Sequence, residues 1–266
     1  MCKMLIDRGL DKERIYPSLE GGRLLPLVES FYTIQGEGFH TGKPAYFIRL
    51  GGCDVGCRWC DSKESWNPDR FPPVEIEEIV RQAAATPAKA IVITGAEPMN
   101  YPLDMLCNML KDYGLEIFLE TSGSSPMSGK FDWICLSPKR NKPPRDEFFA
   151  VADELKVIVE TPEDFQWAEE NRRKVLEAQR CQCPSGDCSA NCSSGDSSAE
   201  GLSNDCSVEG LSRDCSAEGL LKRKCLFFLQ PEWSRMKQIA PAIVEYVKAH
   251  PEWNVSVQAH KFLRIP

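Results

Sequence analysis

The chain lacks several things, and each absence removes a class of function. No run approaches the ~18 consecutive apolar residues of a membrane-spanning helix. No dense Lys/Arg block is present, and the formal charge is −7 over 266 residues. That argues against nucleic-acid binding as the main task. The N-terminal stretch MCKMLIDRGLDKERIYPS has scattered charges and no apolar centre of the kind a secretory signal needs. The expected compartment is therefore the cytoplasm.

What is there supports a folded enzyme-sized body. Apolar residues make up 42% and charged residues 27%, enough for a sizeable core and too apolar for wholesale disorder. Cysteine is abundant. There are 13, an odd number, which in a reducing compartment favours metal or redox ligation over a disulfide framework. Cys53, Cys57 and Cys60 form one tight cluster. Cys181, Cys183, Cys188, Cys192, Cys206 and Cys215 lie in a second segment of different composition. Cys2, Cys107, Cys135 and Cys225 are scattered, three of them in apolar surroundings suited to a small buried hydrophobe.

Periodicity organises the chain into a polar leader (1–22), a body (23–180 and 223–266) and an insertion (181–222). Strands are predicted at 45–50, 89–94, 115–121, 131–137, 154–159, 224–230 and 253–260. Helices are predicted at 74–85, 102–113, 162–179 and 236–250. Strands alternating with helices of this length specify βαβ units and a parallel sheet, either doubly wound or rolled into an open or closed barrel. The insertion breaks the pattern. Residues 187–222 divide into four nine-residue blocks, each beginning with Asp, rich in Ser, Gly and acids. From 181 to 222 there are seven acids and two bases. Such a composition cannot bury enough apolar surface to offset its ordering entropy, so a mobile surface expansion is expected. Its cysteines leave a second metal site as the alternative.

The strongest chemical signal is Cys53-Asp-Val-Gly-Cys57-Arg-Trp-Cys60, directly after the strand AYFIRL and the pair Gly51-Gly52. Three thiolates within eight residues of loop can wrap one small inorganic cluster. A zinc site wants a fourth protein ligand, and none is close in sequence: the nearest His is His40 and the next Cys is Cys107. Three ligands on a [4Fe-4S] cluster leave one iron open to bind a small molecule and pass it an electron.

This C-x3-C-x-aromatic-C pattern at the end of a first strand resembles the radical S-adenosylmethionine (SAM) superfamily. Further runs narrow the resemblance: Phe31-Tyr-Thr-Ile-Gln-Gly-Glu-Gly38, Arg49, Cys60-Asp-Ser, Thr94-Gly-Ala-Glu-Pro98, Glu120-Thr-Ser-Gly123, Ser137-Pro-Lys139, Gln230-Pro231 and the ending Gln258-Ala-His-Lys-Phe-Leu-Arg-Ile-Pro266. Together they look like the 7-carboxy-7-deazaguanine synthase family of the queuosine pathway, over about residues 24–180 and 224–266. The resemblance implies an α/β fold, a partial (β/α) TIM-like barrel of the radical SAM type. It implies a lyase that converts 6-carboxy-5,6,7,8-tetrahydropterin to 7-carboxy-7-deazaguanine with loss of ammonia, using a [4Fe-4S] cluster, SAM and Mg2+. The implied chemistry is abstraction of hydrogen from C6 of the pterin by a 5′-deoxyadenosyl radical, ring contraction, and return of hydrogen to regenerate SAM.

The resemblance also implies roles residue by residue. Cys53, Cys57 and Cys60 ligate the cluster, and Ser62 stands where the family has a Mg2+-ligating threonine. Trp59, Cys60, Asp61, Ala96, Glu97, Ser137, Pro138, Lys139, Gln230, Pro231, Glu232 and Trp233 match SAM contacts. Ile34, Gln35, Gly36, Glu37, Arg49, Thr94 and Pro266 match substrate contacts, Pro266 through its free carboxylate. Ala96 replaces the second glycine of the usual Gly-Gly-Glu-Pro, which predicts a local change in SAM geometry without loss of a ligand. A reductant protein and a homodimer are family expectations; nucleic acid and membrane are not expected partners. The rivals are another radical SAM enzyme, such as a glycyl-radical activase, and a non-catalytic metal-binding protein using the insertion cysteines.

Overall fold

The computed structural model describes residues 19–180 and 224–266; the insertion and nearly all of the leader lie outside them. The described chain opens with an 11-residue strand, β1 (Leu24–Ile34), then β2 (Pro44–Leu50) and a short β3 (Pro73–Glu75). Strands and helices then alternate, except that β5 is followed by β6 with no helix between: α1 (Ile76–Ala84), β4 (Ala90–Gly95), α2 (Asp104–Asp112), β5 (Glu116–Thr121), β6 (Trp133–Leu136), α3 (Asp146–Val151) and β7 (Glu154–Val159). They continue as α4 (Asp164–Arg180), β8 (Leu226–Pro231), α5 (Met236–Ala249), β9 (Trp253–Val255) and α6 (Ala259–Leu263). The nine strands of the described residues join one sheet in the order β3-β1-β2-β4-β5-β6-β7-β8-β9. The run from β2 to β9 is parallel throughout, and β1 pairs antiparallel with both β2 and β3.

The alternation along each parallel strand sets its two faces. Ile91 and Ile93 of β4, Leu155, Val157 and Val159 of β7, and Phe227 and Leu229 of β8 share the main core with Ile79 of α1, Leu106 of α2, Val175 of α4 and Ile243 of α5. Removing each such side chain from water contributes about 1.5–3 kcal/mol. The opposite face forms a smaller core of Ala45, Ala90, Val92, Phe118 and Trp133. Polar inward positions lie further along the strands, at Arg49, Thr94, Glu120, Lys156 and Gln230. The interior is thus apolar toward the strand starts and polar at their C-terminal ends, the end where (β/α) barrels carry their sites.

β3 and β9 are the two sheet edges, so the barrel is partial. The sheet nevertheless curves back on itself. Past β9, the backbone N–H of Ala259 donates to Gly36 O at 2.8 Å, and Gly38 N–H donates to Ser256 Oγ at 3.0 Å. Those bonds join the chain after the last strand to the loop after β1.

Three expectations are corrected. AYFIRL is the second strand, because Leu24–Ile34 precedes it as its antiparallel partner. The strand expected over 253–260 ends at Val255, and Ala259–Leu263 is helical. The helix expected over 74–85 begins at Ile76, since Pro73–Glu75 pair with β1.

Candidate active site

A cleft of about 940 Å³ opens at the C-terminal ends of the parallel strands. That is the upper end of the range for one small ligand, and it suits two. Every candidate residue named above lines it except Glu97 and Pro138.

One wall is the cysteine loop, which leaves β2 through Gly51-Gly52. Cys53, Cys57 and Cys60 are half-buried. Neighbouring loops fasten the segment: Asn100 Nδ2 donates to Gly52 O at 3.2 Å, Asn141 Nδ2 to Gly56 O at 3.0 Å, and Lys142 pairs with Asp54. Cys53 N–H donates to Trp66 O, and Trp66 Nε1 donates to Cys60 Sγ at 3.4 Å. Burial pushes the Cys53 thiol up to about 11, while the backbone N–H groups of Val55 and Gly56 pull the other way. Thiols so placed become thiolates only against a cation. Three half-buried thiols on one loop at the cleft form a soft donor set, and it fits a multi-iron cluster with three thiolate ligands.

A second wall comes from the turns after β4, β6 and β8. Gly95 has φ of 126°, and a Cβ there would meet Leu50 O at 2.2 Å, so this first glycine of the motif is obligatory. Ala96 shows no positive φ, and its N–H donates to Leu50 O at 3.0 Å. The alanine therefore fits the turn without backbone strain. Glu97 does not line the cleft. Its buried carboxylate accepts from Met99 N–H, Thr121 Oγ1, Ser122 N–H and Ser122 Oγ, tying the end of β4 to the end of β5. Pro138 is likewise buried behind Ser137 and Lys139. The ammonium of Lys139 lies 5.4 Å from the Trp59 ring centre and donates to Ser137 O at 2.7 Å.

The third wall is charged and lies against the loop after β1. Lys156 Nζ donates to Glu37 Oε2 at 2.7 Å and to Glu120 Oε2 at 2.8 Å. Gln35 Nε2 reaches Glu120 Oε1 at 3.3 Å, while Gln35 Oε1 accepts from Glu37 N–H at 3.1 Å. Burial alone would raise the Glu37 carboxyl, but the Lys156 charge and hydrogen bonds outweigh it and hold the group at about 2. Arg49 Nε is bound by Glu29 at 2.7 Å, leaving the terminal nitrogens of the fork for another carboxylate.

The C-terminal segment roofs the cleft and connects its walls. Gln258 Nε2 donates to Glu37 Oε1 at 2.9 Å, and Lys261 Nζ bonds Asp61 at 2.9 Å. Lys261 also sits 4.9 Å from the Trp233 ring centre, and Phe262 meets that ring edge-on. His260 presses on Gly36 so closely that a Cβ there would lie 2.4 Å from His260 Nδ1. Pro266 reaches the same cleft.

Residues 47–137 match the radical SAM superfamily. A Flavobacterium psychrophilum protein named 7-carboxy-7-deazaguanine synthase is 42% identical over 257 residues, spanning 97% of this chain and 100% of its own length. The chain belongs to the 7-carboxy-7-deazaguanine synthase family. A Synechocystis relative of the same name is 37% identical over 240 residues, covering 90% of this chain and 93% of its own. The crystal structure of QueE from Escherichia coli superposes with a TM-score of 0.64 at 26% identity, over 91% of this chain and 96% of that one. A member of this family is a radical SAM lyase, and its cofactors are a [4Fe-4S] cluster and SAM.

The most consequential residues missed in the sequence are Lys156 and Glu154; Glu120 was singled out there only as part of the run Glu120-Thr-Ser-Gly123, without a role. A signal existed: in ELKVIV, Glu154 and Lys156 alternate with the outward Leu155 and Val157, which places two charges on the inner face of a buried strand. Glu154, 2% exposed, accepts from Phe39 N–H and Trp133 Nε1, both at 3.1 Å. Burial pushes its carboxyl up to about 7, against the pull of Lys156. A carboxyl raised on folding stabilises the fold below its unfolded value near 4.5, and that contribution disappears as pH rises through about 7. Glu154→Gln removes the term. The variant's melting temperature relative to the parent is expected to be higher at pH 8 than at pH 5. Thermal unfolding at the two pH values checks this, and an unchanged difference would refute it.

Proposed function

We propose that this chain converts 6-carboxy-5,6,7,8-tetrahydropterin to 7-carboxy-7-deazaguanine with release of ammonia, the radical SAM step of queuosine biosynthesis. The observation that carries it is the shared cleft. The three-cysteine loop faces the ring of Gln35, Glu37, Glu120 and Lys156 within one volume large enough for SAM and a pterin together.

When bound, the reduced cluster supplies the electron that splits SAM into methionine and a 5′-deoxyadenosyl radical. Everything else falls to the chain's own groups. Cys53, Cys57 and Cys60 hold the cluster. Trp59, Asp61, Ala96, Ser137, Lys139, Gln230, Pro231, Glu232 and Trp233 hold SAM from the cluster loop across to β8. Glu97 and Pro138 shape those turns from behind. Ser62, on the same wall, offers Mg2+ a hard oxygen, with waters and substrate completing the shell. Ile34, Gln35, Gly36, Glu37 and Thr94 face the pterin, whose amino-pyrimidinone edge needs amide and carboxylate partners. Arg49 receives the substrate carboxylate in its planar fork. Trp59, Trp66, Trp233 and Ile158 shield the reacting centre from water.

The product is a small molecule and so is the substrate. No helix among the described residues is long and apolar enough to cross a membrane. A cytoplasmic enzyme, a homodimer and a separate reductant protein complete the proposal.

Arg49 provides the test. A charge-assisted bond of this kind contributes about 1.5–3 kcal/mol, so Arg49→Met is expected to raise the KM for the carboxylated pterin roughly 10- to 150-fold. SAM affinity stays unchanged. Steady-state kinetics with SAM saturating decide it; an unaltered pterin KM would contradict the assignment of this wall to substrate.

A further inference from the structure

We propose that Lys156 is a positioning residue: it holds the Glu37 and Glu120 carboxylates in place as the acceptor pair for the donor edge of the pterin. This rests on the assignment of the reaction above and names the group on which substrate recognition turns.

The geometry is specific. Lys156 projects from the middle of β7 into the barrel, with its side chain 4% exposed. Its ammonium bridges one carboxylate from the loop after β1 and one from β5, two strands with β2 and β4 between them in the sheet. Each carboxylate has a second oxygen already oriented, Glu37 Oε1 by Gln258 and Glu120 Oε1 by Gln35. With Glu37 N–H returning to Gln35 Oε1, the ring Gln35–Glu120–Lys156–Glu37 closes on itself. A reduced pterin presents ring N–H and amino donors along its pyrimidinone edge. Only ionised carboxylates accept from all of them; a protonated carboxyl turns a donor toward donors. Two carboxylates sharing one buried site repel until one takes a proton, unless a cation lies between them.

Other groups facing the trio do not replace that cation. Beneath it lie Cys135, whose thiol burial holds well above its usual range, and Glu154, itself pushed toward neutrality. Lys139 is near enough to repel Lys156 and is bonded to Ser137, while burial lowers His260. Gln230 and Gln258 bond Glu37 but carry no charge.

The experiment uses cluster-loaded wild-type, Lys156→Met and Lys156→Arg protein, with anaerobic calorimetric titration of 6-carboxytetrahydropterin and, separately, SAM at pH 8 and pH 6. Lys156→Met is expected to weaken pterin binding at least tenfold at pH 8, and by a larger factor at pH 6, with SAM affinity within twofold of wild type. The ratio of variant to wild-type Kd cancels the ligand's own titration. Lys156→Arg is expected to restore most of the affinity. A Lys156→Met ratio that stays near one, or is the same at both pH values, overturns the inference. So does equal loss of SAM and pterin, which marks a merely structural lysine. Wild-type protein that binds SAM but no pterin overturns the assigned reaction as well, and is distinguished by that control alone.

Discussion

Replacing Cys57 with alanine is expected to take reconstituted protein from about four irons per chain to background and turnover below detection. The cysteines are the three thiol donors of one loop, and they act as a set. Cys57 is half-buried, and burial raises its thiol, so the side chain contributes little as a thiol and much as a cluster ligand. Loss of one thiolate exposes a second iron beyond the one that SAM needs. The loop itself is held independently of the cluster, by Asn100, Asn141, Lys142 and Trp66, so the variant folds. Cys225→Ala is the matched control: a small buried side chain in the main core, costing about 1 kcal/mol of stability and no iron. Iron and sulfide determination on both variants checks the pair. Retention of iron and turnover by Cys57→Ala would refute the ligand assignment.

Gly95→Ala is expected to destabilise the protein by roughly 3–5 kcal/mol, adding left-handed strain to overpacking. That lowers the melting temperature by roughly 10 °C. The added methyl has nowhere to move, because the atoms it meets are the Leu50 backbone, at 2.2 Å from O and 2.5 Å from N. Displacing Leu50 displaces Gly51 and Gly52, which lead directly into Cys53. SAM affinity is therefore expected to fall together with stability. Ala96→Gly, one residue on, is expected to change neither by much, since Ala96 already adopts an unstrained conformation. Thermal melts and SAM titration of the two variants separate the positions. A Gly95→Ala protein as stable as the parent would show that the close approach of β4 to Leu50 is not enforced.

The contrast between neighbouring residues shows what the sequence carried and what it hid. Parallel strands such as IVIT and KVIV were legible because burial on both faces demands near-continuous β-branched runs. The cysteine loop was legible because ligand spacing is local. β1 was not, because LLPLVESFYTI is antiparallel, half exposed and interrupted by Pro26, so it lacks the signature of a central strand. The end of the chain misled for the opposite reason: VSVQAH alternates like a strand, yet after Val255 it leaves the sheet edge to cross the cleft and bond Gly36. The place of Glu97 in a short motif matches a SAM contact; the fold adds what the motif does not carry, that its carboxylate accepts from Thr121 and Ser122. The ring around Lys156 draws on the loop after β1, on β5 and on β7 at once, and such a convergence is set by curvature of the sheet, which no local pattern encodes.

The central claim is that one cleft joins a radical-generating cluster to a pterin-reading wall. Its most direct test is a single anaerobic assay of the reconstituted protein with a strong reductant, SAM, Mg2+ and 6-carboxy-5,6,7,8-tetrahydropterin. The expected result is 7-carboxy-7-deazaguanine and ammonia in equal amounts, neither formed when SAM is omitted. Reductive cleavage of SAM that proceeds identically with and without the pterin, and yields no deazapurine, would contradict it.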